Sequence, residues 1–497
     1  MVMMVAVDLG AQSGRIGLGR FSGRVLTVSE LHRFEIAPVR VHDRLYWDAL
    51  RLHHGILEGL RAAAQQVGCN AIASVAIDGW GVDFGLLDRS GRLVQNPVSY
   101  RDQRTAAAMH QVHQRVSPRE LYERTGTQMM PINTIYQLWA MAAARDPALE
   151  AADALLLMPD LFRYWLSGVR GCELTGVTTT QCYDPRVGEW AWDLLSRLDV
   201  PTHLFGEVVL SGTVLGSLRS EVAEETGLAG ASVIAPAAHD TASAVAAVSF
   251  RNPGAAYISS GTWSLVGIEV DAPVINEHTF TADLTNEAGA RGTFLLMRNV
   301  MGLWLLEECR RAWALEGQVW GFPELISLAE AARPHTAFVD PNDPVFLGPG
   351  NMPARICEWC RRTGQVVPEK PSAVVRCILE SLALKYRQII ELLPMTSGVS
   401  PREIHVVGGG ARNRLLCQWT ADASGLPVWA GPAEASEVGN LVVQLIALGE
   451  LGSLEDARAV VRESFPPDLY APRERGAWDH AYVHFLELAA KVNQSEP

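Results

Sequence analysis

Asp8-Leu9-Gly10-Ala11-Gln12-Ser13-Gly14-Arg15 contains the residue types needed to grip a phosphate. Glycines let the backbone approach a ligand and take positive φ. Successive N–H groups in such a turn form an anion concavity. Ser13 adds a hydroxyl donor and Arg15 a fixed charge, so Ala11, Gln12, Ser13, Gly14 and Arg15 are candidate contacts to a nucleotide. Asp8, closing an apolar run, suits a hydrated magnesium ion. The spacing differs from GxxxxGK[ST], and a tight β-hairpin that needs its glycines also explains the octapeptide. Ser259-Ser260-Gly261-Thr262-Trp263-Ser264 repeats the ingredients, hydroxyls and glycine at a hairpin turn. One such turn means little; two, heading the two halves of one chain, suggest a nucleotide held from both sides, with Thr262 among the contacts. Gly408-Gly409-Gly410 offers bare backbone, with Gly409 a candidate for adenine or ribose. A structural turn reads as well there.

The remaining chemistry concerns a hydroxyl substrate. In Ala238-His239-Asp240-Thr241 a single carboxylate stands among small residues after an apolar segment. A carboxylate at a strand end suits general-base work on a hydroxyl, which phosphoryl transfer needs as the attacking oxygen loses its proton. An Asp N-cap for a helix starting near Thr241 is the other reading. Asp78-Gly79-Trp80-Gly81-Val82-Asp83 places a Trp between glycines and two carboxylates. That suits a sugar site, the ring covering C–H faces while carboxylates and backbone take hydroxyls; a core Trp in a tight turn fits too. Asn299 is a further candidate hydroxyl ligand.

The elements that position these residues alternate strand and helix, an α/β pattern. Residues 2–7 read as a buried strand, 16–21 and 25–28 as further strands, and 71–77 as another. Residues 47–66 show helical spacing, with Leu50, Ile56, Leu57 and Leu60 on one face. A second hairpin occupies 255–260 and 263–270. Residues 377–393 form an amphipathic helix expected to stop before Pro394, 404–407 a strand, and 413–424 a helix. The chain has 497 residues and a net charge of −13. Such a surface repels nucleic acid and anionic membranes. The eight scattered cysteines read as reduced thiols, and the lone Cys357-x-x-Cys360 cannot complete a four-cysteine zinc site. No segment suits a membrane span or a signal peptide, so the expected location is cytoplasmic.

DLGAQSGR, IDGWGVDF, AAHDTASAV, SSGTWSLVG, NVMGLWLL and HVVGGGARN follow the order and spacing of the FGGY carbohydrate kinases, which this chain resembles over nearly its whole length. The likeness is closest to the branch that acts on L-rhamnulose. It implies two actin-like (ribonuclease H-like) α/β domains, 1–245 for sugar and phosphate and 246–497 for nucleotide, with a cleft between them. It implies transfer of the ATP γ-phosphoryl group to the 1-hydroxyl of L-rhamnulose, with L-fuculose, L-xylulose or another ketose as rivals. A non-kinase ATPase resembling actin or the heat-shock chaperones is the rival class. By motif, Asp240 resembles the proton acceptor. Ala11 to Arg15, Thr262 and Gly409 resemble ATP contacts. Gly81, His239, Thr241 and Asn299 resemble sugar contacts, with the sugar under Trp80. Asp8 resembles a magnesium-side carboxylate acting through water. The partners implied are ATP and a small sugar, in a monomer or homodimer. Glu307 stands where the family pattern has Gln, and Thr420 and Ser424 stand where it has a cysteine pair.

Overall fold

The computed structural model describes residues 1–10 and 12–493; Ala11 lies outside the described residues. The N-terminal apolar run becomes β1 (Val2–Leu9), which hairpins into β2 (Ser13–Phe21) and then β3 (Leu26–Glu35). Helix α1 (Ala49–Val67) starts where the Asp48 side chain accepts the Arg51 N–H. Its buried stripe is Leu52, Ile56, Leu60 and Ala63. Leu50, expected on that stripe, is 65% exposed instead. Trp47 is buried, but it precedes the cap and so does not set the helical phase. Next come β4 (Ile72–Gly79), α2 (Met158–Ser167), β5 (Thr213–Ser217), β6 (Ser232–Ala235) and the short helix α3 (Asp240–Ala246). The strand order is β5-β6-β4-β1-β2-β3. β1, β4 and β6 are parallel neighbours, and β2 and β3 are antiparallel. The apolar strands of the parallel part are buried on both faces, the usual state of a parallel sheet.

The chain then builds the same pattern again. β7 (Ala256–Ser260) hairpins into β8 (Trp263–Val270). β9 (Thr285–Ala288) pairs antiparallel with the first half of β10 (Phe294–Met301). After α4 (Trp304–Leu315) and α5 (Pro371–Ser397), β11 (Ile404–Val407) lies parallel to β7. Helix α6 (Arg414–Ser424) leads to β12 (Val428–Ala430), parallel to β11. Then follow α7 (Ala435–Ala447) and the edge strand β13 (Asp468–Tyr470). Two compact units result. One comprises the described residues of Met1–Ser249 with Glu269–Met297 and Glu434–Pro466. The other comprises Phe250–Ile268, Arg298–Ala433 and the described residues from Pro467 onward. Helix α7 thus returns to the first unit. Among the described residues no helix is long and apolar enough to cross a membrane.

Helix α5 overruns its expected end at Pro394 by one turn. Proline removes one N–H and one helix bond, but the final turn is held otherwise. Ser397 Oγ donates to the Leu393 carbonyl at 2.7 Å, and Thr396 Oγ1 to those of Leu392 and Leu393 at 3.1 Å. Gly398, with φ 76°, closes the helix.

The Trp80 segment takes the core reading. Trp80 is 6% exposed and packs on Trp47 with ring centroids 4.8 Å apart. Little of the ring is left on the surface. Asp83, fully buried, is what these rings are built around. Its Oδ2 accepts Trp47 Nε1 at 2.6 Å, Trp80 Nε1 at 3.0 Å and the Tyr100 N–H at 3.2 Å. Burial pushes the Asp83 carboxyl up to about 6, and these donors pull it back. Each buried donor left without an acceptor costs about 1–3 kcal/mol. Asp83→Ala should therefore lower stability by about 3 kcal/mol or more in chemical denaturation, and Asp83→Asn, which keeps an acceptor, by clearly less.

Candidate active site

The first unit's site is assembled by strand register. β1 and β4 run parallel with Asp8 beside Asp78 and Leu9 beside Gly79. Gly79 in turn bridges to His239, its N–H donating to the Ala238 carbonyl at 2.9 Å. Asp8, Asp78 and Asp240 therefore stand at the carboxyl ends of neighbouring parallel strands, where open α/β sheets place their ligands. Asp8 and Asp240 both raise the pKa of Asp78, and Asp240 raises that of Asp8, whereas a hydrogen bond with Asp78 lowers Asp8. Asp8 is pushed up to about 6 by burial first; its cross-strand partner Arg15 pulls it down and Asp240 pushes it up. Asp78 goes well above the ordinary value, by burial and then by Asp8.

Asp240 is the open member, with its side chain 29% exposed. It is not a helix cap: the cap position is His239, whose side chain makes no capping bond, and Asp240 is the first residue of α3. Thr241 Oγ1 donates to Asp240 Oδ1 at 3.3 Å, and His239 Nε2 lies 3.5 Å from the same oxygen. The His239 Nδ1 side faces Glu287 Oε2 on β9 at 2.9 Å, close as an ion pair though not aligned as a hydrogen bond. Burial raises Asp240, and His239 opposes this.

Groups not foreseen from sequence hold this arrangement. Buried Glu173 accepts the Ala238 N–H at 2.9 Å and Thr175 Oγ1 at 2.5 Å, and Thr175 Oγ1 accepts the His239 N–H at 3.0 Å. Helix α7 presents a buried polar stripe, Glu437, Asn440 and Gln444, to the sheet. Asn440 Nδ2 donates to Asp78 Oδ2 at 2.5 Å, and Gln444 Nε2 to the Val5 carbonyl at 3.1 Å. Burial, then Asp8, pushes the Glu437 carboxyl up to about 8. Polar residues three and four apart in an apolar helix were a readable signal; Glu173 and Glu287, remote in sequence from Asp240, offered none.

The rest of the predicted first-unit residues divide by location. In the hairpin turn the Gly10 N–H donates to the Ser13 carbonyl at 3.1 Å, and the Gln12 carbonyl accepts the Ile36 N–H at 2.9 Å. Gly14 pairs with Leu9 across the hairpin. Gly81 lies against Thr179, whose Oγ1 accepts the Val82 N–H at 3.1 Å. Val82 itself takes φ 66°. For a β-branched residue that conformation is strained, by about 1–3 kcal/mol, and such strain gathers at functional sites. Thr134 Oγ1, donating to the Val82 carbonyl at 2.6 Å, helps hold it.

In the second unit the Thr262 turn and the triple glycine meet. A side chain at Gly410 would overlap Ser260 Oγ at 2.0 Å, and one at Gly408, with φ 80°, would sit 2.9 Å from the Ser260 carbonyl. Gly409 faces open space. The Thr262 carbonyl accepts the N–H groups of Gly302 and Trp304 at 3.1 Å, which ties the turn to the start of α4. The Asn299 carbonyl accepts Asn342 Nδ2 at 3.0 Å. Glu307 forms an ion pair with Arg310 at 2.7 Å on its own helix, which offsets its charge. Thr420 and Ser424 donate back to carbonyls of α6.

Two family models cover this chain: the N-terminal domain of the FGGY family of carbohydrate kinases over residues 3–247, and its C-terminal domain over 256–448. The chain belongs to that family and is a carbohydrate kinase, which sets aside the non-kinase ATPase reading. A rhamnulokinase of Bacteroides thetaiotaomicron is 43% identical over 480 residues, 97% of this chain and 98% of the relative. One of Enterococcus faecalis is 41% identical over 94% of this chain and 93% of the relative. The crystal structure of a ligand-bound xylulose kinase from Lactobacillus acidophilus matches with a TM-score of 0.82 at 15% identity, covering 100% of this chain and 99% of that one. It shares the two-domain actin-like fold.

Helix α7 also fixes α3, and hence Asp240. A Cβ at Gly439 would lie 1.7 Å from the Ser243 carbonyl oxygen, so the two helices touch backbone to backbone. Gly439→Ala should destabilise the protein by about 1–3 kcal/mol, the usual cost of overpacking, and lower kcat as the start of α3 shifts. A thermal melt and steady-state kinetics on the purified variant check both effects.

Proposed function

We propose that this kinase transfers the γ-phosphoryl group of ATP to the 1-hydroxyl of L-rhamnulose, with Asp240 accepting the hydroxyl proton. The observation that carries the mechanism is Asp240 itself, a partly exposed carboxylate at the carboxyl edge of parallel strands, faced by His239 and Thr241. The choice of sugar rests on the rhamnulokinases that match nearly the full length of the chain. Gly81, His239, Thr241 and Asn299 are the proposed sugar contacts. Gln12, Ser13, Gly14 and Arg15, with Thr262 and Gly409, are the proposed nucleotide contacts. Ala11 belongs with them by position in the sequence.

In the transfer, the sugar oxygen forms a bond to the γ-phosphorus as the bond to the β,γ-bridging oxygen breaks. Asp240 takes the proton, and ADP departs with the bridging oxygen. Alignment and charge neutralisation supply most of the rate, the base a smaller part. Among the described residues no three His, Cys, Asp or Glu side chains are arranged to hold a metal. Asp8, one carboxylate at a strand end, fits a magnesium ion that keeps its waters and leans on the nucleotide phosphates. Such an ion, when bound, neutralises charge on the β- and γ-oxygens. The proposed setting is the cytoplasm.

Asp240→Asn tests the assignment. Turnover with L-rhamnulose should fall by about 10²–10⁴-fold, while sugar and ATP still bind by calorimetry. Near-normal turnover would remove Asp240 from this role. Because burial holds the Asp240 carboxyl above the ordinary 3.8, the acid limb of kcat/KM should lie above that value, activity being lost as falling pH protonates the base. An ATP-consumption assay across ketoses, including L-fuculose and L-xylulose, checks the sugar. L-Rhamnulose should give the highest kcat/KM.

A further inference from the structure

His239 sits in a row of three groups, Asp240 on one side and Glu287 on the other. Asp240 Oδ1 is 3.5 Å from Nε2 and Glu287 Oε2 is 2.9 Å from Nδ1. Both His239 and Glu287 are buried. The buried ring is carried by backbone that is fixed on either side of it. The His239 N–H is held by Thr175, the Ala238 N–H by Glu173, and the Ala238 carbonyl by Gly79. Glu287 is equally constrained, lying within β9 opposite Leu295 of β10.

We infer that Glu287 is a positioning residue for the phosphoryl transfer: it keeps His239 oriented and positively charged, and His239 then keeps Asp240 a carboxylate. The inference rests on the reading of Asp240 as the proton acceptor. Within the Asp240 segment, a protonated His239 is the group that can supply the counter-charge a partly buried base requires. Burial drives an imidazole toward its neutral form and a carboxylate toward its neutral acid. At His239 burial is outweighed, chiefly by Glu287 and then by Asp240 and Glu173, so the imidazole ends above its ordinary value. At Asp240 the imidazolium is the foremost influence opposing burial.

The charged groups around the pair are Glu287 from β9, Glu173 with Arg163 of α2 behind it, Asp78 from β4, and Asp8 from β1 with Arg15 of β2 beside it. Arg163 and Arg15 act on Glu173, Asp78 and Asp8, and neither is among the influences on Asp240. His239 is therefore the cation next to the base. Removing the Glu287 charge has two effects on Asp240. Directly it relieves a like charge, the weakest of the influences on Asp240. Indirectly it releases the His239 proton and so takes away a positive charge 3.5 Å from Oδ1. The second effect is larger, so the Asp240 carboxyl moves up.

Glu287→Gln is the test, read by the pH profile and not by activity at one pH. The acid limb of kcat/KM should move up by roughly one pH unit or more, the scale of a lost opposite charge at this range. Activity should recover toward wild type at high pH, and Glu287→Asp should fall between the two. Asp240→Asn should stay slow at every pH, which separates loss of the base from loss of its support. With ¹⁵N-histidine labelling, the wild-type His239 imidazole should stay protonated above its ordinary 6.5 and should titrate lower in Glu287→Gln. A wild-type His239 that titrates at or below 6.5 overturns the inference whether or not the variant folds. So does a Glu287→Gln profile that superimposes on wild type, even with Asp240→Asn inactive.

Discussion

The parallel pairing of β1 with β4, and of the end of β4 with the backbone at 238–239, is the constraint on which the first unit's chemistry depends. A one-residue slip in a ladder turns every side chain of the strand to the other face. Residues 4–7 of β1 are buried on both faces and differ in size, so register is fixed by how their side chains pack. Once it is fixed, Asp8 must stand beside Asp78, and Gly79 beside His239. The site follows from the register, and the loops elaborate it.

Gathering carboxylates at one edge carries an electrostatic cost, and the surrounding residues offset it in different ways. Asp78 is fully buried, with Asn440 donating to one oxygen, and burial favours its neutral form. Asp8 has Arg15 across the hairpin. Asp240 has His239, itself stabilised by Glu287. Two of the three are thus matched to a cation and the third is held by an amide. That arrangement answers the difficulty raised by a chain of net charge −13 that handles an anionic nucleotide. Local pairing controls the charge at the site while the surface stays acidic.

Much of this was legible in the sequence. The hairpins heading the two halves, the strand before Gly79 and the strand before the triple glycine all form as their apolar runs and glycines suggest. The phase of α1 was misread because Trp47 and Leu50 are apolar on either side of the Asp48 cap. The end of α5 was misread because a proline near a C-terminus removes one bond that hydroxyls of the last turn can replace. Trp80 illustrates a different limit. A Trp between glycines and aspartates is compatible with a sugar platform or with a core ring, and local sequence does not choose. The choice is made by Trp47, Tyr100 and Gln137, which arrive from elsewhere in the chain to surround Asp83. Glu173 and Glu287 were invisible for the same reason, since their partners are set by tertiary structure.

The most direct test of the account is a ³¹P NMR time course of the purified enzyme with ATP and L-rhamnulose. The account predicts a phosphomonoester resonance, coupled to the C1 protons of the sugar, that grows in step with ADP and is absent without the sugar. Inorganic phosphate released at the same rate with and without L-rhamnulose, with no sugar phosphate formed, would contradict it.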